Sequence, residues 1–248
     1  MRGTFFHRPM IDIVQCWDDG VEDDIRLCDM LRAHGAKATF NLCAGLHGAI
    51  RQDVRIYREV KTVKRLARCE LLDVYDGFVI ANHTLRHSRS LSLSPQQWRM
   101  EVLDGRKHLQ DIFCQAVEGF VYPFGERDAS TDAIVLEAGH TYARGTRPAA
   151  PEEKTGYPCA NPFRLVPDAH FRDPDIRKKL QAAKDARKPV FYFWGHSYEM
   201  VSEEEWQSLG SFLRDISADD ACRWADVCDL FPHRSRARSA EIRPSSLS

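Results

Sequence analysis

The sequence predicts an α/β fold in which parallel strands are surrounded by helices, arranged either as a barrel or as an open sheet. Short runs of apolar, β-branched and aromatic residues alternate along the chain with longer amphipathic stretches. Some runs are apolar at every position, as in residues 189–194 (PVFYFW), which is typical of strands buried on both faces. This alternation favours βαβ units and a parallel sheet.

The strand predictions depend on short apolar runs that end at turn residues. Residues 11–17 (IDIVQCW) lead into an Asp-Asp-Gly turn, and residues 189–194 lead into Gly195. The predicted strands are residues 11–17, 38–42, 77–81, 119–122, 141–143 and 189–194.

The helix predictions depend on apolar residues at helical spacing and on capping residues. Residues 22–34 end at Gly35, which suits a helix C-terminus, and Ser94 followed by Pro95 suits a helix N-terminus. Ser202 is a further N-cap, because the glutamates that follow it suit the positive end of a helix dipole. The predicted helices are residues 22–34, 60–72, 94–113, 130–138, 174–186 and 202–213.

The chain is predicted to form one domain, residues 1–232, followed by a disordered tail, residues 233–248. A length of 248 residues with 43% hydrophobic content suits a single substantial core. Residues 145–167 contain several prolines and no clear period, which predicts a long surface excursion. The tail lacks apolar periodicity, which favours disorder.

Charge and composition argue against nucleic-acid and membrane partners. Lysine plus arginine number 35 against 36 acidic residues, so no long-range attraction to a polyanion is expected. The first residues lack the apolar run of a signal peptide, and no stretch approaches the roughly 18 apolar residues of a membrane span. The expected compartment is the cytoplasm, and the oligomeric state stays open. The eight cysteines form no Cys-x-x-Cys pair and are expected to be mostly reduced core residues.

The residues that could perform chemistry stand where predicted strands end. Asp18 and Asp19 follow the first predicted strand, His83 and His87 follow the third, and His196 follows the last. The carboxyl ends of parallel strands share one edge of a sheet, where functional loops gather. These five side chains are therefore expected to meet in space.

Their chemical types and spacing predict a hydrolytic metal site. His83 and His87 stand at i and i+4, so their imidazoles could hold one divalent cation together with an oxygen of Asp19. Two histidines and one carboxylate leave positions open for water and substrate. Asp18 could then act as the base and His196 as the acid. Each piece alone has a structural explanation as a turn, a chance pair or a satisfied core histidine, but their conjunction favours the metal hydrolase.

At these positions the sequence resembles the NodB-homology polysaccharide deacetylases, carbohydrate esterase family 4. The family's T-F-D-D-G motif corresponds to residues 16–20 (CWDDG), and its H-[ST]-x-x-H motif is matched fully by residues 83–87 (HTLRH). Its F-R-x-P-[YF]-G motif resembles residues 120–125 (FVYPFG), and its final L-x-H resembles residues 194–196 (WGH). The matches run in family order over most of the chain.

The resemblance implies an irregular (β/α) barrel with about seven parallel strands. It implies that Asp18 is the catalytic base and that His196 is the general acid, while the backbone N–H of Phe124 helps to stabilise the oxyanion. The implied cofactor is a divalent metal, usually zinc, although other divalent ions occur. The implied metal ligands are Asp19, His83 and His87.

The sequence also departs from the family pattern. The third-motif arginine, which in the family steadies the catalytic aspartate, is Val121 here, and the fourth motif has no clear counterpart. Arg144 could supply the missing guanidinium and is predicted to approach Asp18, the alternative being a solvated loop arginine. Glu199 could raise the pKa of a nearby imidazole, or could be a surface residue. The predicted substrate-binding residues are Tyr122, Arg144, Trp194 and Tyr198.

The predicted function is metal-dependent hydrolysis of an amide that is not a peptide bond. The expected reaction removes an N-acyl group, most often N-acetyl, from an amino sugar or a related small molecule. One alternative is a hydrolase of cyclic amides or ureides, as in allantoinases, because the departures from the pattern weaken the link to sugars. Another is a metal-holding binding module that has lost catalysis.

Overall fold

The computed structural model describes residues 10–147 and 157–231, which form a parallel sheet surrounded by helices. The strands are β1 (Ile11–Asp18), β2 (Thr39–Leu42), β3 (Gln52–Tyr57), β4 (Lys61–Arg65), β5 (Val79–Asn82), β6 (Gly119–Val121), β7 (Tyr142–Arg144), β8 (Ala169–His170), β9 (Val190–Gly195) and β10 (Cys222–Ala225). The α-helices are α1 (Asp24–Ala33), α2 (Leu71–Val74), α3 (Pro95–Phe113), α4 (Ala129–Glu137), α5 (Ile176–Asp185) and α6 (Glu203–Ser217).

The main sheet confirms the predicted fold class. Its strands follow the order β7-β6-β5-β2-β1-β9-β8, with β10 also pairing with β1, and every pair is parallel. Together with the surrounding helices they form an irregular (β/α) barrel. The strands β8 and β10 were not predicted because β8 has only two residues and β10 alternates too briefly to show a period.

The predicted helix at residues 60–72 is wrong for most of its length, because residues 61–65 form strand β4 and helix α2 begins only at Leu71. The strands β3 and β4 form an antiparallel hairpin, closed by Arg58 and Glu59 with φ of 49° and 60°. Positive φ at both central residues matches the twist that a two-residue hairpin turn requires. The helix was predicted because helical spacing is also found at Val60, Val63 and Leu66. In the structure Val60 is 73% exposed in the turn, whereas Val63 is buried.

The predicted surface excursion at residues 145–167 is partly wrong. Phe163, Leu165 and Val166 are buried, and Leu165 pairs with Arg144 in a parallel bridge beside β7. A proline-rich segment can thus bury its few apolar residues against a strand although its sequence shows no hydrophobic periodicity. Residues 148–156 lie outside the described part of the chain. So does the tail at residues 233–248, and the domain boundary before it stays a prediction.

The apolar residues of the sheet are divided between three cores. The largest includes α1, α5 and α6, a second lies between β1, β7, β9 and β10, and a third lies between α3, α4 and β6. Only Cys16, Cys28 and Cys43 are buried, so the expectation that most cysteines lie in the core is wrong; all eight are free thiols. None of the described helices combines the length and the apolar character needed to cross a membrane.

Candidate active site

The predicted acidic and imidazole side chains lie together at the carboxyl edge of the sheet. Nε2 of His87 is 3.4 Å and Nε2 of His83 is 4.0 Å from Oδ1 of Asp19. On the other side, Nε2 of His196 is 4.0 Å from Oδ2 of Asp18. The expected convergence of three distant segments is therefore present.

The backbone reaches this geometry through left-handed residues at the strand ends. Asp19, Thr84, His87 and Phe124 have φ of 88°, 66°, 58° and 60°. Such values disfavour side chains with a Cβ, so packing must hold these residues in place. The histidine pair therefore lies on a turn rather than on the expected helical turn, with ring centroids 4.8 Å apart.

The donors around Asp19 fit a divalent cation. Oδ1 of Asp19 is buried and has no hydrogen-bond partner among residues 10–147 and 157–231, and it faces the two Nε2 atoms. The ring of His83 donates from Nδ1 to the carbonyl of Val121 at 2.8 Å, which leaves the Nε2 lone pair free. Burial lowers the pKa of His83 to about 4 and also lowers the pKa of His87, so both rings are neutral, as metal ligands must be.

Asp19 itself is ionised. Burial alone would raise the pKa of its carboxyl, but the nearby rings of His196, His87 and His83 lower this pKa overall. One carboxylate and two neutral imidazoles form a donor set that suits zinc and similar ions.

Cys43 is a neighbour of this donor set that sequence reasoning treated only as a core residue. Its Sγ, a carboxylate oxygen of Asp19 and a ring nitrogen of His83 all lie within 4.8 Å of one another. The thiol donates to the backbone carbonyl of His83 at 3.0 Å, and burial raises the pKa of the thiol well above its usual value. Cys43 therefore supports the backbone of a predicted ligand as a neutral group.

Arg144 forms a buried ion pair with Asp18, which confirms the predicted approach. Nη2 of Arg144 donates to both carboxylate oxygens at 2.6 and 2.8 Å, and Nδ2 of Asn41 donates to Oδ1 at 2.6 Å. Burial would raise the pKa of Asp18, but the Arg144 guanidinium, with His83 and His196, holds it well below its usual range. The arginine that is missing at Val121 is therefore supplied from a neighbouring strand, β7.

The complete burial of Arg144 also corrects its assignment as a substrate-binding residue. Its side chain is 0% exposed, and its guanidinium carbon lies 4.7 Å from the ring centroid of Trp194. Nε and Nη1 have no hydrogen-bond partner among the described residues, so the aromatic face is their main compensation. Arg144 thus acts on Asp18 from inside the protein.

His196 lies between carboxylates that favour its protonated form. Its Nδ1 is 3.5 Å from Oε1 of Glu199, and Oε2 of Glu199 is 2.9 Å from Nε2 of His170. Burial would lower the pKa of His196, but Glu199, Asp19 and Asp18 raise it overall. Sequence reasoning missed His170, because nothing in the sequence connects β8 with the turn after β9.

Tyr122 is a core residue, so its assignment to the substrate pocket is wrong. It is 1% exposed, and its ring stacks on that of Trp98 with centroids 6.2 Å apart. Its hydroxyl donates to Oδ1 of Asp132 at 2.7 Å. Stacking and a satisfied hydroxyl leave this side chain no free face for a ligand.

The other aromatic residues border the site to different extents. Trp194 is partly exposed beside His196, whereas Tyr198 is 3% exposed and has its ring centroid 4.9 Å from that of His196. Phe124 is 45% exposed, and its ring lies 4.7 Å from that of His87. Sequence reasoning considered only the backbone of Phe124, yet its ring is the most open aromatic surface here.

Comparison with solved structures gives proteins with this fold. The Xyl-CE4 domain of a multidomain xylanase from the hindgut metagenome of Trinervitermes trinervoides has a TM-score of 0.58 and 15% identity, covering 90% of each chain. A family 4 carbohydrate esterase from Streptomyces lividans, solved with acetate, has a TM-score of 0.55 and 14% identity, covering 86% of this chain and 91% of its own. At these identities the likeness shows the fold.

Sequence comparison shows the family. YxkH of Bacillus subtilis (strain 168), which bears the name of a polysaccharide deacetylase, is 24% identical over 152 residues, 61% of this chain. The chain spans only 50% of the length of this curated relative. The model of the polysaccharide deacetylase family matches residues 8–143, more than half of the sequence. The chain therefore belongs to the polysaccharide deacetylase family.

Proposed function

We propose that this deacetylase-family chain is a metal-dependent hydrolase that removes an N-acyl group, most often N-acetyl, from an amino sugar or a related small molecule. The observation that carries the proposal is the buried, unpartnered Oδ1 of Asp19, which faces two neutral imidazoles. A divalent ion, zinc or a similar metal, held by Asp19, His83 and His87 would polarise the acyl carbonyl and lower the pKa of the attacking water.

In this mechanism Asp18 takes the proton of the attacking water. Its ionised form is secured by Arg144 and Asn41, which also fix the direction of its oxygen atoms. The ion pair with Arg144 keeps this carboxylate in the charged form that a base must have. The backbone N–H of Phe124, at the left-handed turn after β6, would donate to the oxyanion.

His196 gives its proton to the departing nitrogen. A general acid must carry its proton near neutral pH, and the carboxylate of Glu199 raises the pKa of His196 in that direction. In this proposal Glu199 is the negative neighbour that keeps the imidazole of His196 protonated. His170, on the far side of Glu199, lowers the pKa of that carboxylate to about 2 together with His196, against the effect of burial.

The test is release of acetate from N-acetylglucosamine and from an activated acetyl ester, with and without a chelator. We expect chelator-sensitive release by the intact protein. Asp18→Asn should abolish turnover while the protein keeps its metal, whereas His87→Gln should lose both. Ring opening of a cyclic ureide without acetate release would contradict the deacetylase proposal, and near-normal turnover by Asp18→Asn would contradict the assigned base.

A further inference from the structure

The entrance to the site is bordered by two arginines that lie on aromatic rings. The guanidinium carbon of Arg89 is 3.7 Å from the ring centroid of Phe124, and that of Arg55 is 4.4 Å from the ring centroid of Tyr198. The two arginine side chains are 50% and 48% exposed. Each is therefore a cation with access to solvent next to the predicted catalytic groups.

The two cations differ in how they are neutralised. Arg89 forms a close ion pair with Glu126. Arg55 has only Asp19 as a carboxylate neighbour, with Nη2 3.9 Å from Oδ2, and no hydrogen-bond acceptor pairs with it among the described residues. The carboxylate of Asp19 also faces the imidazoles of His83 and His87 and the metal ion that these residues are proposed to hold. The N–H donors of Arg55 therefore remain available to an external anion.

Arg55 is held in position by the hairpin of β3 and β4. Arg55 and Tyr57 face the site, and the ring centroid of Tyr57 lies 5.3 Å from that of Tyr198. Nζ of Lys61 donates to the carbonyl of Met200 at 2.8 Å, which ties the hairpin to the turn after β9. The guanidinium is thus a positioned group on a braced element.

The ring below Arg55 defines the direction of its donors. A guanidinium that lies on an aromatic face keeps its planar N–H groups directed sideways, where they match the paired oxygens of a carboxylate or phosphate. Nearby, Nη1 of buried Arg65 donates to the backbone carbonyl of Asp19 at 2.5 Å and adds a second positive charge. Two guanidinium groups thus lie on this side of Asp19.

We propose that Arg55 binds an anionic substituent, a carboxylate or a phosphate, on the N-acyl substrate, so that the preferred substrate is an acidic amino sugar or a related acid. This inference rests on the proposed deacylation. It names a specificity-determining residue that lies outside the matched motifs, on strand β3, for which the sequence analysis predicted neither a strand nor a helix.

The test compares three probes that share the acetamido group: neutral N-acetylglucosamine, N-acetylglucosamine 6-phosphate and N-acetylmuramic acid. We expect kcat/KM about ten- to a hundredfold higher for at least one anionic probe, the range of a charge-assisted hydrogen bond. Arg55→Gln should remove this preference, so that the kcat/KM values of the anionic and neutral probes become similar within that variant, and Arg55→Lys should restore part of the preference. The better anionic probe distinguishes phosphate from carboxylate.

Arg58→Gln is the matched control. Arg58 lies on the same hairpin with a 43% exposed side chain, but it pairs with Glu205 instead of facing the site. We expect this variant to keep the preference of the unmodified protein. Equal loss of preference in Arg58→Gln would overturn the proposal, because the effect would then come from the hairpin as a whole.

A binding measurement separates failure of this inference from failure of the proposed function. Calorimetric titration of the metal-loaded Asp18→Asn variant with the three probes does not depend on turnover. Tighter binding of an anionic probe that Arg55→Gln abolishes supports the inference even if acetate is never released. Equal binding and equal turnover of neutral and anionic probes would overturn the inference and leave the deacylase proposal standing.

Discussion

Three histidines in one cleft have pKa values shifted in opposite directions. His83 and His87, beside Asp19, have lowered pKa values, whereas the pKa of His196, beside Asp18, is raised. Burial lowers the pKa of all three rings. The difference lies in the second ring nitrogen, because Nδ1 of His83 donates to a neutral carbonyl, whereas Nδ1 of His196 faces the carboxylate of Glu199.

This contrast shows how a single residue type can serve two chemical roles a few ångströms apart. A metal ligand must offer a lone pair, which requires a neutral ring, and a general acid must hold a proton. The neighbour of the far nitrogen decides which state the ring adopts. Variants on the two sides of the cleft should therefore differ in metal binding, in activity and in pH dependence.

The largest expected difference is between His83→Gln and His196→Gln. Loss of a residue that only hydrogen-bonds to a metal ligand weakens metal binding by roughly 10–100-fold, so loss of His83 itself should weaken it by more. Activity should disappear with the metal. His196→Gln should keep its metal while kcat falls by about 10²–10⁴. Metal content after dialysis and kcat at saturation separate the two. Loss of metal from His196→Gln would instead place this ring, with His170 and Glu199, among the ligands.

Arg144→Gln tests the buried ion pair that keeps Asp18 ionised. Removing one partner of a buried ion pair costs about 3–5 kcal/mol, because the remaining carboxylate of Asp18 stays buried without compensation. Urea unfolding of the metal-free protein measures this loss of unfolding free energy. Arg26→Gln, which breaks an exposed pair with Glu203, is the control and should change much less. Similar losses in both variants would contradict the buried pair.

Asp24 extends the comparison to carboxyl groups. Unlike Asp18, it is buried without a cationic partner among the described residues. It accepts hydrogen bonds from Tyr75, Ser197 and the backbone N–H of Val21. Burial raises the pKa of Asp24 to about 7. The pKa of Asp24 is higher in the folded than in the unfolded state. Its contribution to the free energy of unfolding is therefore complete below about pH 4 and is lost as the pH rises to about 7. One pKa unit is worth about 1.4 kcal/mol, so the total is a few kcal/mol.

The measurement for Asp24 is the free energy of unfolding at several pH values between about 4 and 7. Stability of the unmodified protein should fall across this window, while Asp24→Asn should remove that part of the slope. An identical slope in the variant would show that the carboxyl of Asp24 is not protonated in the folded state.

Glu199→Gln should give the smallest of these effects. Removing the carboxylate lowers the pKa of His196, so the alkaline limb of the kcat profile should move to lower pH. His170→Gln should give a smaller shift, because it acts on His196 only through Glu199. Metal content should be unchanged in both variants. An unmoved alkaline limb in Glu199→Gln would show that another group controls the acid.

Local patterns in the sequence were sufficient for the fold class and for the edge where the site lies. The runs at residues 11–17 and 189–194 were recognised as β1 and β9 because mostly apolar, β-branched or aromatic runs that end at turn residues are typical of strands buried in a parallel sheet. The hairpin of β3 and β4 was missed because a short strand with two buried positions has no unambiguous period. Tyr122 was misassigned because an aromatic next to a motif resembles a pocket wall until its hydroxyl partner is known.

The sequence by itself determined which residue types stand at the ends of the strands, and parallel topology brings those ends to one edge. Only the tertiary structure decided what each of these side chains touches. The pairing of Arg144 with Asp18 joins residues separated by 126 positions and was expected only from the departure from the family pattern at Val121. The contacts of Glu199 and Arg55 depend on turns and a hairpin that no local pattern specifies. Charge, protonation state and donor direction vary over a few ångströms, so they follow from contacts between distant segments and not from the order of residues along the chain.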